Sequence, residues 1–123
     1  MNPLSILCLI CLGTLPFALP AAASPVVLTC AGTASGHLGS DPVCGPLRAL
    51  LDRRYASGTG PVVRLELVQD DTRRLAGRLV WQAAAGSAAT TGPVVEVSAR
   101  DHPLDARAGV RLANGLVRVS GLP

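Results

Sequence analysis

Residues Asp101–Pro123 read DHPLDARAGVRLANGLVRVSGLP, and the fold turns on whether they form a helix or a hairpin. Wound as a helix from Pro103, they gather Arg107, Arg111, Asn114 and Arg118 into one narrow polar arc. Leu104, Ala108, Leu112, Leu116 and Val119 then take the opposite side. Asp101 and Pro103 suit the start of such a helix, and Ser120–Gly121 suits its C-terminal cap. Folded as a hairpin, the segment turns at Asn114–Gly115, the strongest short turn signal. Val110, Leu112, Val117 and Val119 then share a face, but Arg111 sits opposite Arg118, a costly like-charge pair. Gly109, Gly115 and the valines weaken the helix. The polar arc is nevertheless the tidier pattern, and it favours the helix.

Upstream, the pattern changes period. From Val62 to Gln69, Val63, Leu65 and Leu67 alternate with Arg64 and Glu66. From Leu75 to Gln82, Leu75, Gly77, Leu79 and Trp81 alternate with Arg78 and Gln82. With Asp70–Arg73 as the turn, these stretches predict an antiparallel hairpin with one dry and one wet face. Ala83–Gly92 reads as a loop, and Val94–Ala99 as a further strand with Val95 and Val97 inward.

Further upstream, Val26–Leu28 is apolar without alternation, which suits a strand covered on both faces or paired centrally. A loop of small residues, Ala31–Ser40, follows. Asp41 reads as an N-cap and Pro42 as a first helical residue, with Val43, Leu47, Leu50 and Leu51 on one face. Pro46 is awkward inside this helix, which ends at Ser57–Pro61. The order is β-α-β-β-β-α. It predicts an α+β two-layer sandwich, with both helices on one face of a mainly antiparallel sheet. The alternative is a mostly β chain with one helix and a C-terminal hairpin.

Residues 1–23 stand apart. Leu4–Leu15 is a short apolar run, broken downstream by Pro16 and Pro20, and Ala21–Ala23 offers a small-residue cleavage site. That is the layout of a signal peptide; a membrane span needs about 20 apolar residues. Residues 24–123 then form one small exported domain, periplasmic or secreted, with no stable membrane span after cleavage. Its core has to be built from Val, Leu and Ala, because Trp81 and Tyr55 are its aromatic residues. All 11 basic residues are Arg, a pattern expected of a GC-rich bacterial genome. The net charge of +3 is too small and scattered for nucleic acid, and the interleaved aromatics of a stacking platform are missing.

Cys8 and Cys11 belong to the signal segment, which leaves Cys30 and Cys44 as an even pair in an exported protein. A structural disulfide is expected, closing a ring worth about 3 kcal/mol in the chain-entropy model. The spacing is not that of a C-x-x-C redox pair. His37 and His102 do not complete a zinc site with the cysteines. No metal or cofactor is expected.

Acid–base candidates are sparse. The glycine loop before the first helix is well placed for an anion, yet Gly32, Gly36 and Gly39 match no phosphate-binding motif and Asp41 would repel one. His37 lies near Ser35, Ser40 and Asp41 without a nucleophile elbow, and His102 reads as a turn residue. Asp70 and Asp71 read as solvated residues at a hairpin tip. The sharpest binding candidates are Arg107, Arg111 and Arg118, whose forks suit carboxylate or phosphate. The functional expectation is a non-enzymatic binding or accessory module of the cell envelope, facing an envelope protein or an anionic envelope component. Exposed strand edges could also take up a partner's strand. The alternative is a small hydrolase or ligand-binding enzyme using the His37 loop.

Overall fold

A computed structural model describes residues 26–31 and 36–123. Residues 1–25, with the expected signal segment and Cys8 and Cys11, and residues 32–35 lie outside the described residues. The elements in chain order are β1 (Val27–Ala31), α1 (Asp41–Arg54), β2 (Val62–Asp70), β3 (Arg74–Gln82), β4 (Ala89–Thr91), β5 (Val95–Ser98) and α2 (Ala106–Val119). Five strands make one open mixed sheet, with both helices packed against it: the α+β architecture expected. The Asp101–Pro123 stretch is helical, so the hairpin alternative is excluded.

The β2–β3 hairpin follows the alternation. Val63, Leu65, Leu75 and Leu79 are fully buried, while Arg64 and Glu66 occupy the uncovered face. Asp71 makes the tip, its Oδ1 accepting the N–H groups of Arg73 (2.9 Å) and Arg74 (2.7 Å). A register shift between Leu67 and Gln69 turns Val68 outward, 47% exposed.

β1 departs from the expectation of a covered or central strand. It is an edge strand, parallel to β2, and Val27 is 56% exposed. The apolar run misled because Val26 and Leu28 feed the core while Val27 between them does not. The parallel pairing follows from α1, which carries the chain across the sheet between β1 and β2. Arg48 of α1 donates from Nη2 to the Leu28 carbonyl at 3.1 Å, occupying an outward acceptor of this edge.

The opposite edge was expected to hold one strand after a loop ending at Gly92. It holds two, because Ala89–Thr91 also pairs with β3. Two β3 residues, Arg78 and Leu79, face three edge residues, Gly92, Pro93 and Val94, so the edge carries a bulge. Pro93 has no N–H to offer a ladder. Gly92 is buried, and its N–H donates to Leu79 O at 2.8 Å.

α1 begins one residue earlier than the cap reading implies. Ser40 is the N-cap, without a side-chain bond, and Asp41 is the first helical residue. The helix runs through Pro46, which lacks the N–H that Pro42 O would accept. α2 meets α1 at this carbonyl: a Cβ on Gly109 would lie 2.3 Å from Pro42 O. The glycine that weakens α2 in isolation is therefore what lets the helices touch. Gly115 plays a milder part, with its absent Cβ 3.1 Å from Val95 Cγ1.

α2 starts after Asp105 rather than at Pro103, and Asp105 Oδ1 accepts the Arg107 N–H at 2.9 Å. It ends at Ser120, with Gly121 at φ +70° as the C-terminal cap reading requires. Ala108, Leu112, Ala113 and Leu116 are buried. Val119 was expected on that side but is 44% exposed; it is in line with Leu112 but is the last residue of α2, at the end of the buried face. The core is Leu, Val and Ala. Trp81 only borders it, donating from Nε1 to Ser120 O at 3.1 Å.

The disulfide joins Cys30 on β1 to Cys44 on α1, with Cα atoms 6.2 Å apart. It fastens the first helix to the sheet edge, and such a bond fits an oxidising compartment outside the cytoplasm.

Candidate functional site

Three places gather chemistry-bearing side chains: the node of loops around His37, the uncovered sheet face, and the outer face of the helix layer.

At the loop node, the residues before α1 fold onto the end of the β2–β3 hairpin. His37 N–H donates to Asp70 O at 3.1 Å, and the next two amides reach the Asp70 carboxylate. Leu38 N–H bonds Oδ1 at 2.9 Å and Gly39 N–H bonds Oδ2 at 2.8 Å. The loop is thus an anion cradle in its donor chemistry, and the anion it holds is Asp70 of the same chain. Asp70 was expected to be a solvated turn residue; it is half-buried and fastens the loop. Its role was illegible because its partners are backbone groups more than 30 residues away, which leave no pattern in side-chain types.

His37 does not face a nucleophile. Its Nε2 lies 3.0 Å from Leu104 O and must carry the proton, since a carbonyl oxygen only accepts. Leu104 N–H in turn donates to Thr72 O at 2.9 Å, so the α2 entrance, the hairpin tip and the pre-α1 loop form one hydrogen-bonded junction. Arg73 joins it through Nη1 and the Arg100 carbonyl. Ser40 makes no side-chain cap bond, and Ser35 lies outside the described residues. His102 is exposed and bonds through Nδ1 to Pro103 O at 3.1 Å. Asp71 is held below the ordinary carboxylate range, first by the Arg73 amide and then by Gln69 and the Arg74 amide. Among the described residues, no group of three or more His, Cys, Asp and Glu is placed to hold a metal ion.

On the uncovered sheet face, Glu66 bridges Arg64 and Arg78, each at 2.8 Å. The Arg78 hydrogen bond, and then that of Arg64, hold the Glu66 carboxyl below its usual range against partial desolvation. A shallow groove of about 300 Å³ opens beside this network, lined by Thr29, Arg64, Val80 and Gln82. The two arginines here are paired, so this face offers little free charge.

The helix layer differs. α1 and α2 together carry six arginines against two aspartates, a balance of +4, so the helix layer is more positive than the whole chain at +3. Arg107, Arg111, Asn114 and Arg118 are all exposed on α2, as the polar arc predicts. From Arg107 to Arg118 the row runs about 16 Å at 1.5 Å per residue. Among the described residues, none of the three guanidinium groups makes a hydrogen bond or ion pair. The row is flanked by two grooves. One, of about 540 Å³, is lined by His102, Asp105, Arg107, Val110 and Arg111. The other, of about 410 Å³, lies between the helices beside Leu50, Arg54, Val117, Arg118 and Leu122.

Arg54 was not singled out in the sequence, yet it stands in the second groove beside Arg118. It is held in place, unlike the α2 arginines. Its Nη2 donates to Leu122 O at 2.9 Å, and its guanidinium lies 5.7 Å from the Tyr55 ring centre. Tyr55 Oη donates to Pro123 O at 2.5 Å, so the segment after α2 is tied to the end of α1.

The strand edges are less open to a partner than the sequence suggested. Arg48 occupies the Leu28 acceptor on one, and the bulge at Gly92–Val94 breaks the other. Among the described residues, no helix is long and apolar enough to cross a membrane. Compared with known proteins, the chain matches no family model, no curated protein and no solved structure.

Proposed function

We propose that this protein is a small exported, non-enzymatic binding or accessory module of the bacterial cell envelope, and that the α2 arginine row is its working face. In this reading residues 1–23 are a cleaved signal peptide, and the domain acts in the periplasm or beyond. The observation that carries the proposal is the row itself. Arg107, Arg111 and Arg118 are exposed, aligned on one helix and unpaired among the described residues, whereas Arg64 and Arg78 are neutralised by Glu66. Bidentate cations left without counter-charges suit carboxylate or phosphate on another molecule. The Cys30–Cys44 disulfide supports the compartment. The hydrolase reading gains nothing, since His37 Nε2 and both Asp70 carboxylate oxygens are engaged with backbone groups.

The test is retention of the oxidised protein on its own envelope fraction. Reversing Arg107→Glu and Arg111→Glu abolishes retention if the row is the binding face. Retention at the level of the unaltered protein overturns the proposal.

A further inference from the structure

The row's anionic partner is a class of surface that its geometry narrows. We infer that α2 docks on the phosphate headgroups of an anionic phospholipid bilayer; this rests on the reading of the arginine row as the working face. Three features point there. First, the arginines stand on the convex outer side of a helix in a line of about 16 Å, which suits a flat array of anions. Second, nothing in the described structure holds their guanidinium groups in one orientation. A specific site for a folded acidic protein is expected to preorganise its forks. Unheld forks suit headgroups that diffuse laterally and arrange themselves around the cations. Third, each end of the row sets cations beside apolar side chains. Arg107 and Arg111 flank Val110, which is 45% exposed, and Arg118 with Arg54 borders the half-buried Leu50 and Val117. A phospholipid presents the matching pair, a phosphate next to the glycerol and upper acyl chain.

The core-facing side chains Leu112 and Leu116 of α2 are committed to the core at 0% exposure. The helix therefore lies on the surface without inserting, and the binding is electrostatic, reversible and sensitive to salt. One acidic group beside the row, Asp105 in the first groove, limits it.

The test is co-sedimentation of the oxidised protein with phosphatidylcholine vesicles, with and without added phosphatidylglycerol, at low and high salt. Retention is expected on the anionic vesicles alone, with release at high salt. Replacing Arg107→Gln and Arg111→Gln together lowers the partition about 25-fold, taking each surface cation as about fivefold. Arg107→Lys with Arg111→Lys keeps most of the binding, because a fluid array needs charge rather than a fork. Arg74→Gln with Arg100→Gln removes the same charge from the hairpin end and leaves partition within a few-fold of the original. Circular dichroism checks that each variant is folded. Equal binding to neutral vesicles overturns the inference, as does an equal loss in the Arg74/Arg100 variant. Arginine-dependent retention on the envelope fraction without binding to anionic vesicles also overturns it, while leaving the broader function standing. Loss of both sinks the two together.

Discussion

Gly109→Ala tests the helix–helix contact, because intrinsic propensity and packing predict opposite signs. In an isolated helix the change is favourable by about 0.5–1 kcal/mol. In this protein the new Cβ would lie 2.3 Å from Pro42 O and 2.5 Å from its carbonyl carbon, whereas ordinary contact begins near 3.4 Å. The helices must therefore part by about 1.1 Å, the difference between those two distances. The obstacle is backbone at the start of α1, so no side chain can swing aside. A gap of that size forfeits roughly a quarter to a half of each contact along the seam, and overpacking of this kind costs about 1–3 kcal/mol. Setting the propensity gain against it leaves a net loss of up to about 2.5 kcal/mol, or a fall in Tm of up to about 20 °C for a domain of this size. Two sister substitutions calibrate the result. Gly45 in α1 has nothing within 4 Å of a built Cβ, so Gly45→Ala gains the propensity term. Gly115→Ala meets only Val95 Cγ1 at 3.1 Å, which can yield, and comes out close to neutral. The assay is urea unfolding of the oxidised protein followed by circular dichroism, with equal slopes required for comparison. If Gly109→Ala equals or exceeds Gly45→Ala in stability, the close contact at Pro42 is refuted.

Other consequences are equally direct. Asp70→Asn replaces one carboxylate oxygen by a donor facing an amide N–H, and is expected to cost about 1–3 kcal/mol. It also speeds hydrogen exchange at Leu38 and Gly39; unchanged exchange there contradicts the cradle. Removing the disulfide with Cys30→Ala and Cys44→Ala is expected to cost about 3 kcal/mol, read as a lower denaturation midpoint than that of the oxidised protein. His37→Ala removes the bond to Leu104 O but leaves envelope retention intact; loss of retention in a folded variant would move the working site to the loop node. The Glu66 carboxyl is expected to titrate below its ordinary value of 4.5, and Arg78→Gln to bring it back up, as followed by carbon NMR. Because the folded value is depressed, its small contribution to stability is complete above pH 4.5 and fades as pH falls through the folded value. A midpoint at or above 4.5 contradicts the Arg78–Glu66–Arg64 network.

What the sequence made legible was periodic. The alternation in Val62–Gln69 and Leu75–Gln82, and the polar arc through Arg107, Arg111, Asn114 and Arg118, each repeat often enough to outweigh a misplaced residue. The helix reading of the last segment survived two glycines that argue against it locally, because their cost is offset by close packing on Pro42 and Val95. Sequence shows the cost of a glycine but not the neighbour that makes it useful. β1 was misplaced for a related reason: five residues are too few for a period, and apolar Val27 looks the same at an edge as in the centre. Ala89–Thr91 became a strand through pairing with β3 alone, since all of its residues are exposed and none carries a burial signal. Of the candidate site, the arginine row was legible because it is helical and local. The Asp70 cradle was not, because a carboxylate that binds distant backbone amides is chosen by tertiary geometry.

The two guarded sheet edges have a consequence for how this protein behaves when crowded. Growth of a cross-β fibril requires a flat run of about six or seven residues whose outward amides and carbonyls can all be taken up by the next molecule. β1 has five residues and an acceptor already held by Arg48. The other edge is cut by Pro93 into runs of three and four residues. Among the described residues neither edge offers such a run while the fold is intact, even though the sheet is open and rich in valine. Unfolded chain lacks these guards, and the Cys30–Cys44 bond, by restricting that state, also restricts this route to aggregation.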